Sequence, residues 1–151
     1  MEIEEQELLA MISALQRKTQ IFLNHGLANT GITGSQTPFL MIACRKGKVA
    51  QNYFCEVLDI SRGTVAKMLA KLEQTGFLER RGNPDDARGM DVYPTRKALE
   101  LYPILKRNGE HCKEQITAGM SEVERMAFGA LLQKAYKNIS ACTHLSLEES
   151  L

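Results

Sequence analysis

The sequence predicts a mainly α-helical fold interrupted by one short β ribbon. Two observations carry this. Apolar residues recur at helical spacing through most of the chain. Between residues 77 and 93 the period drops to two on either side of a run rich in glycine, proline, asparagine and aspartate.

The elements follow in order. Leu8, Ile12, Leu15, Thr19 and Phe22 lie at helical spacing with charged and amide residues between them, which predicts a helix over 4–24. Gly26 and Asn29-Thr30-Gly31 end it. Thr33-Gly34-Ser35-Gln36 fits a capping box with Thr33 at the N-cap of a second helix. Its segment from Phe39 to Cys44 is apolar nearly all round and therefore expected to be buried, and Gly47 stops it. Pro38 falls early enough to be tolerated. A third helix, Ala50 to Leu58, carries Tyr53, Phe54, Val57 and Leu58 on one face. Asp59-Ile60-Ser61 forms a tight joint. Ser61 then caps a fourth helix running to Thr75, with Val65, Met68, Leu69 and Leu72 on its inner face and Gly76 beyond its end.

Phe77 to Arg81 and Met90 to Tyr93 read as strands joined by a polar, partly basic turn over 82–89. Thr95 caps a long helix from Arg96 to about Ala118, which Pro103 is expected to kink near its start. Ser121-Glu122-Val123-Glu124 opens a last helix to about Ile139, striped by Phe128, Leu131, Leu132, Ala135 and Ile139. Residues 146–151 read as a loose tail. The expected division is an N-terminal helix (1–30), a central domain (31–95) and C-terminal helices (96–145).

The bulk composition narrows the class. A chain of 151 residues buries roughly 70% of its unfolded surface, so no disulfide or metal is required for folding. No run of 18 apolar residues predicts a membrane span. The acidic start, Met1-Glu2-Ile3-Glu4-Glu5, lacks the basic and apolar regions of a signal peptide, so a cytoplasmic chain without a membrane partner is expected. Cys44, Cys55, Cys112 and Cys142 form no CxxC pair and read as small apolar residues. The net charge is only +1, but from Arg45 to Lys97 eleven lysines and arginines face seven acids. Excess base therefore gathers in the middle of the chain.

Helices followed by a hairpin in this order make a winged helix-turn-helix. A helix that reads DNA must pack one face and present small, polar and basic residues on the other. Residues 61–75 satisfy this: opposite Val65, Met68, Leu69 and Leu72 lie Arg62, Gly63, Thr64, Lys67 and Lys71. The N-terminal turn is the reading end, because its free N–H groups also favour phosphate. Gln51 or Lys48 of the preceding helix could touch the DNA backbone. Arg88, at the ribbon tip, could enter a narrow minor groove.

The stretch from Val49 to Lys67, with Ser61-Arg62-Gly63-Thr64-Val65 at its centre, resembles the helix-turn-helix of the MarR family. Leu72-Glu73-Gln74-Thr75-Gly76-Phe77-Leu78-Glu79-Arg80 is similar to that family's passage into the wing. Asn83-Pro84-Asp85-Asp86-Ala87-Arg88 resembles its wing signature, and Gly31-Ile32-Thr33 with Gln36 the start of its second helix. The match is dense from about 31 to 97. It implies base and phosphate contacts from Ser61, Arg62, Thr64 and Lys67, and a wing arginine at Arg88. Asp86 would position the wing by pairing with an arginine such as Arg80. The resemblance further implies a homodimer built through the first and last helices, a double-stranded pseudo-palindromic DNA operator, repression, and release by a small aromatic or anionic effector. Phe22, Leu23, His25, Phe39 and Ile42 are the expected lining of an effector cleft by position.

Several residues depart from that pattern. Pro94 and Ala98 alter the wing's exit. Asp59 stands where glycine is common, and aspartate is among the few residues that accept the left-handed conformation there. Tyr53 and Ala50 replace polar positions of the supporting helix. Two alternatives stand beside operator binding: a regulator of the same fold triggered by thiol oxidation, and a winged module that contacts protein without DNA. No cysteine precedes residue 44 to act as a sensor at the start of the first helix. His111-Cys112 with His25 or His144 matches no zinc spacing. No nucleophile–base set, phosphate-cradling loop or paired carboxylates mark an enzyme, and no cofactor is expected.

Overall fold

The computed structural model describes residues 2–149, with side chains as far as Thr143. The described residues form six helices and three strands. They are α1 (Glu5–Gly26), α2 (Thr37–Lys46), β1 (Val49–Ala50), α3 (Gln51–Leu58), α4 (Arg62–Gln74), β2 (Leu78–Asn83), β3 (Asp86–Pro94), α5 (Arg96–Ile116) and α6 (Glu122–Glu149). Two compact units result, Met1–Cys112 and Lys113–Leu151.

The core of the first unit lies in the winged region. Leu40, Phe54, Val65, Leu69, Leu72 and Val92 are all fully buried. Burying each such side chain contributes roughly 1.5–3 kcal/mol. Phe39 of α2 stacks on Phe54 of α3 with ring centroids 5.4 Å apart. α5 joins this core through Ala98 and Leu105, with buried Cys112 a further seven residues along, so one stripe faces inward. Pro103 lies inside α5. α1 has no buried residue. Its C-terminal end is held by Asn108 of α5, whose Nδ2 donates to the Leu23 carbonyl at 3.1 Å. The Phe22 ring meets His111 edge-on at 5.2 Å.

The second helix starts one turn later than the capping box suggests. Gln36, not Thr33, is its N-cap. Half of the expected box exists, since Gln36 Oε1 accepts the Thr33 N–H at 2.9 Å, but the Thr33 hydroxyl bonds Ser35 instead. The later start puts Pro38 in the first turn, where its missing N–H costs nothing. Gly47, at φ +76°, ends the helix.

The sheet is larger than a two-stranded ribbon. β1 pairs antiparallel with β3 through Val49↔Val92 and Ala50↔Asp91, giving the order β1-β3-β2. Strands β2 and β3 also run further than the turn-rich sequence suggests, and only Pro84 and Asp85 form the hairpin turn. A bulge lets Asn83 oppose Asp86 while Gly82 opposes Met90. Val57, expected on the packed face of α3, is 48% exposed. The short helix centres its buried stripe on Phe54, and Val57 falls at the edge.

In the second unit, Ser121 and Glu124 close a reciprocal capping box. Ser121 Oγ accepts the Glu124 N–H at 3.2 Å, and Glu124 Oε2 accepts the Ser121 N–H at 2.7 Å. α6 continues past Ile139 to Glu149, so the tail read as loose is helical as far as it is described. Ser150 and Leu151, and the side chain of His144, lie outside the described residues.

Candidate nucleic-acid interface

α4 is built to present one face. Asp59 closes α3 in the left-handed region at φ 53°, ψ 50°, which reverses the chain within three residues. Ser61 follows in extended conformation as N-cap, its Oγ accepting the Thr64 N–H at 3.2 Å and donating to the Thr64 hydroxyl at 2.9 Å. Val65, Leu69 and Leu72 fix the helix from below. Arg62, Gly63, Thr64, Lys67 and Lys71 are left exposed on the other side.

The far end of α4 is equally determined. The Phe77 N–H donates to the Leu72 carbonyl at 2.9 Å and the Gly76 N–H to Glu73 at 3.1 Å, with Gly76 at φ +84°. This is a Schellman motif, completed by buried Leu72 and Phe77. Thr95 then ties the exit to α5. Its hydroxyl donates to the Gly76 carbonyl at 2.7 Å, and Lys97 Nζ reaches the Thr75 carbonyl at 3.0 Å while lying 4.3 Å from the centre of the Phe77 ring. The exposed face of α4 therefore rides on a helix pinned at both ends.

The wing is organised by short polar contacts. Asn83 Oδ1 accepts the Asp85 N–H at 2.9 Å, and Asp86 Oδ1 accepts the Arg88 N–H at 3.0 Å. Such local side-chain bonds shape a tight turn without core packing. Arg88 is exposed and sits on β3 in the bulge, just past the turn and not at its apex.

One pairing differs from expectation. Arg80 does not meet Asp86. It meets Glu73 of α4, with Nη2 to Oε1 at 3.1 Å and its backbone N–H to Oε2 at 3.1 Å. The reason is position: Arg80 lies near the start of β2, beside the end of α4, whereas Asp86 lies past the turn and satisfies Arg88 locally. The Arg80 guanidinium holds the Glu73 carboxyl below its ordinary range. Arg81 is engaged by Glu79 at 2.8 Å and lies over the Tyr93 ring at 4.4 Å.

Sequence reasoning missed Asp91. It is buried at the β1–β3 pairing and meets Lys48 Nζ at 3.6 Å. Alternation gives no warning of it, because core-facing Val92 puts the neighbouring Asp91 on the opposite face of β3, where β1 pairs alongside. The Lys48 side chain stays 60% exposed beside Asp91, and Gln51 turns its Oε1 into the protein, where it is buried without a hydrogen bond. A hollow of about 180 Å³ separates the first turn of α3 from the wing residues Asn83, Asp86 and Arg88.

Two of the five residues expected to line an effector cleft lie in the core. Phe39 and Ile42 are 2% and 4% exposed and belong to the core, because α2 is the central helix of the winged region. Phe22 and Leu23 are half-buried near the end of α1, and His25 is exposed. Burial pushes the Cys44 and Cys112 thiols up, away from the thiolate form. Cys142 is exposed. No helix among the described residues is long and apolar enough to cross a membrane.

The family model of the MarR family matches residues 30–89. The HTH-type transcriptional regulator YybA of Bacillus subtilis (strain 168) is 27% identical over 133 residues, 88% of this chain and 89% of that protein. The crystal structure of the transcriptional regulator SlyA superposes with a TM-score of 0.83 at 26% identity, covering 89% of this chain and 95% of that one. A cysteine-to-serine mutant of E. coli MarR, complexed with operator DNA, gives 0.76 at 25% identity, covering 85% and 92%.

Proposed function

We propose that this chain, whose residues 30–89 match the family model of the MarR family, is a transcriptional regulator of that family and not an enzyme, and that it acts as a homodimer on a pseudo-palindromic operator, repressing transcription until a small aromatic or anionic effector releases it. One observation carries the DNA reading. The exposed face of α4 holds Arg62, Thr64 and Lys67 beside the Ser61 cap, and Arg88 is exposed on the wing. The operator complex of E. coli MarR supports it by likeness.

In this reading Ser61, Arg62, Thr64 and Lys67 enter the major groove, and Arg88 enters the adjacent minor groove, where a guanidinium suits the narrow, negative A·T tract. Two copies would set their α4 helices about one helical turn, roughly 34 Å, apart. The apolar residues left exposed on α1 and α6 support the dimer. Phe22, Leu23 and His25 remain the residues proposed for the effector. A regulator of chromosomal operators works in the cytoplasm.

A shift assay across a salt series tests the reading, using DNA selected from random duplexes. The expected complex weakens linearly in log–log form as salt rises, because lysine and arginine displace counterions. A protein that selects no duplex, and forms no salt-sensitive complex, would leave the winged region as a protein-contact module. Arg88→Ala should weaken operator binding by more than about tenfold, the loss of one good contact, with melting unchanged. Peroxide should not alter binding. Loss of the complex on oxidation would favour the thiol-triggered alternative.

A further inference from the structure

Glycine is a poor residue for helix interiors, and many glycines sit where a positive φ or a close neighbour requires them. Most glycines of this chain do. Gly31, Gly47, Gly76 and Gly119 sit at positive φ. At Gly26 and Gly34 an added Cβ would collide with Asn108 or Leu23, and at Gly89 it would press on Asp86. Gly63 has neither reason. Its φ is not positive, and an added Cβ would meet nothing within 4 Å. Gly82, Gly109 and Gly129 share that freedom, but Gly63 alone stands in the first turn of α4, exposed between Arg62 and Thr64.

We propose that Gly63 is a specificity-determining residue for DNA, its missing Cβ letting the first turn of α4 seat directly on the floor of the major groove. The inference rests on the DNA-binding reading above and adds a steric requirement to it. The flanking Arg62 and Thr64 can reach base edges only if the backbone between them comes close, and a methyl group at residue 63 would hold it off. Loose, sequence-independent complexes ride on phosphate charge and need no such approach.

The test is Gly63→Ala in the full chain, on its selected operator and on an unrelated duplex of equal length. Melting should be unchanged or raised by a few degrees, since alanine is the better helix former and has room. Operator affinity should fall about tenfold or more, the scale of one lost base contact. Binding to the unrelated duplex should stay within about twofold, and the salt slope should not change, because no charge is removed. Operator binding within about twofold of wild type would overturn the proposal. So would an equal loss on both duplexes, or a lowered melting temperature, which would show that the fold itself uses the glycine. If the wild-type chain makes no salt-sensitive operator complex, the DNA reading itself has failed, a result recognisably different from a variant that binds normally.

Discussion

At the scale of single residues, the Glu73–Arg80 contact links the two parts of the proposed DNA surface. Glu73 belongs to α4 and Arg80 to the wing, and the carboxylate takes both the Arg80 guanidinium and its backbone N–H. Glu73 is 41% exposed. Solvent therefore screens the pair, and it should stabilise the fold by less than about 1 kcal/mol. The contact matters more for where the wing stands. Glu73→Gln should melt within a few degrees of wild type yet bind the operator about three- to tenfold more weakly, measured by fluorescence anisotropy. Unchanged affinity would show that the wing keeps its pose without the charge. The pH dependence has a definite sign. Arg80 lowers the Glu73 pKa in the folded state, so the pair contributes above the unfolded pKa and is lost as pH falls through the lower, folded one. Sequence alone could not find this pairing. Glu73 and Arg80 meet because the Schellman turn at Gly76 aims β2 back along α4, a direction that neither residue encodes. Asp86, the partner expected from the wing signature, is spent on a bond two residues away.

At the scale of elements, local chemistry was readable and long-range pairing was not. The Ser61 cap, the left-handed Asp59, the glycine ends of α2 and α4 and the box at Ser121 each depend on residues within one turn. Each appears in the structure where the sequence places it. β1 is two residues long and exists only because Val49 and Ala50 meet Val92 and Asp91 across the wing, so no local pattern announces it. The wing strands run longer than their composition suggests for a related reason. Gly82, Asn83 and the Asp86–Gly89 run are turn formers by composition, but the ladder recruits them around a bulge. The cap of α2 slipped because buried Gln36 reaches back while Thr33 does not. Gly76 offers a direct test of a turn. Its φ is +84° and nothing lies within 4 Å of an added Cβ, so Gly76→Ala carries a backbone penalty alone. The expected cost is about 1–2 kcal/mol, seen in denaturant titration as a lower midpoint with an unchanged slope. No change in midpoint would mean that the turn relaxes without the left-handed residue.

At the scale of the whole molecule, the unpaired surface decides what the chain needs. The periodicity of α6 marks a stripe through Phe128, Leu131, Leu132, Ala135 and Ile139, but periodicity cannot say whether such a stripe faces the chain's own core or another copy. In the structure Leu131 is 66% exposed, Leu132 56% and Ile139 62%, and Tyr136 beside them is exposed too. α1 repeats the pattern with Leu8, Ile12 and Leu15. Monomeric proteins rarely leave contiguous apolar patches of this kind open. Neither helix is long and apolar enough to cross a membrane. A second copy covers such stripes at no cost in new sequence, and isologous contact is the commonest solution. Each leucine taken from water in the proposed dimer would contribute up to about 1.5–3 kcal/mol, and a charge placed in such an interface would offset that gain. Leu131→Glu with Leu132→Glu should therefore halve the mass found by sedimentation equilibrium, while circular dichroism still reports a mainly helical chain. Operator affinity should fall by more than about a hundredfold, because a monomer engages one half-site and loses the effective concentration that tethers the second. A wild-type chain that sediments as a monomer, or a double variant that remains dimeric and binds normally, would move the dimer contact away from α6 and leave its exposed stripe to another partner.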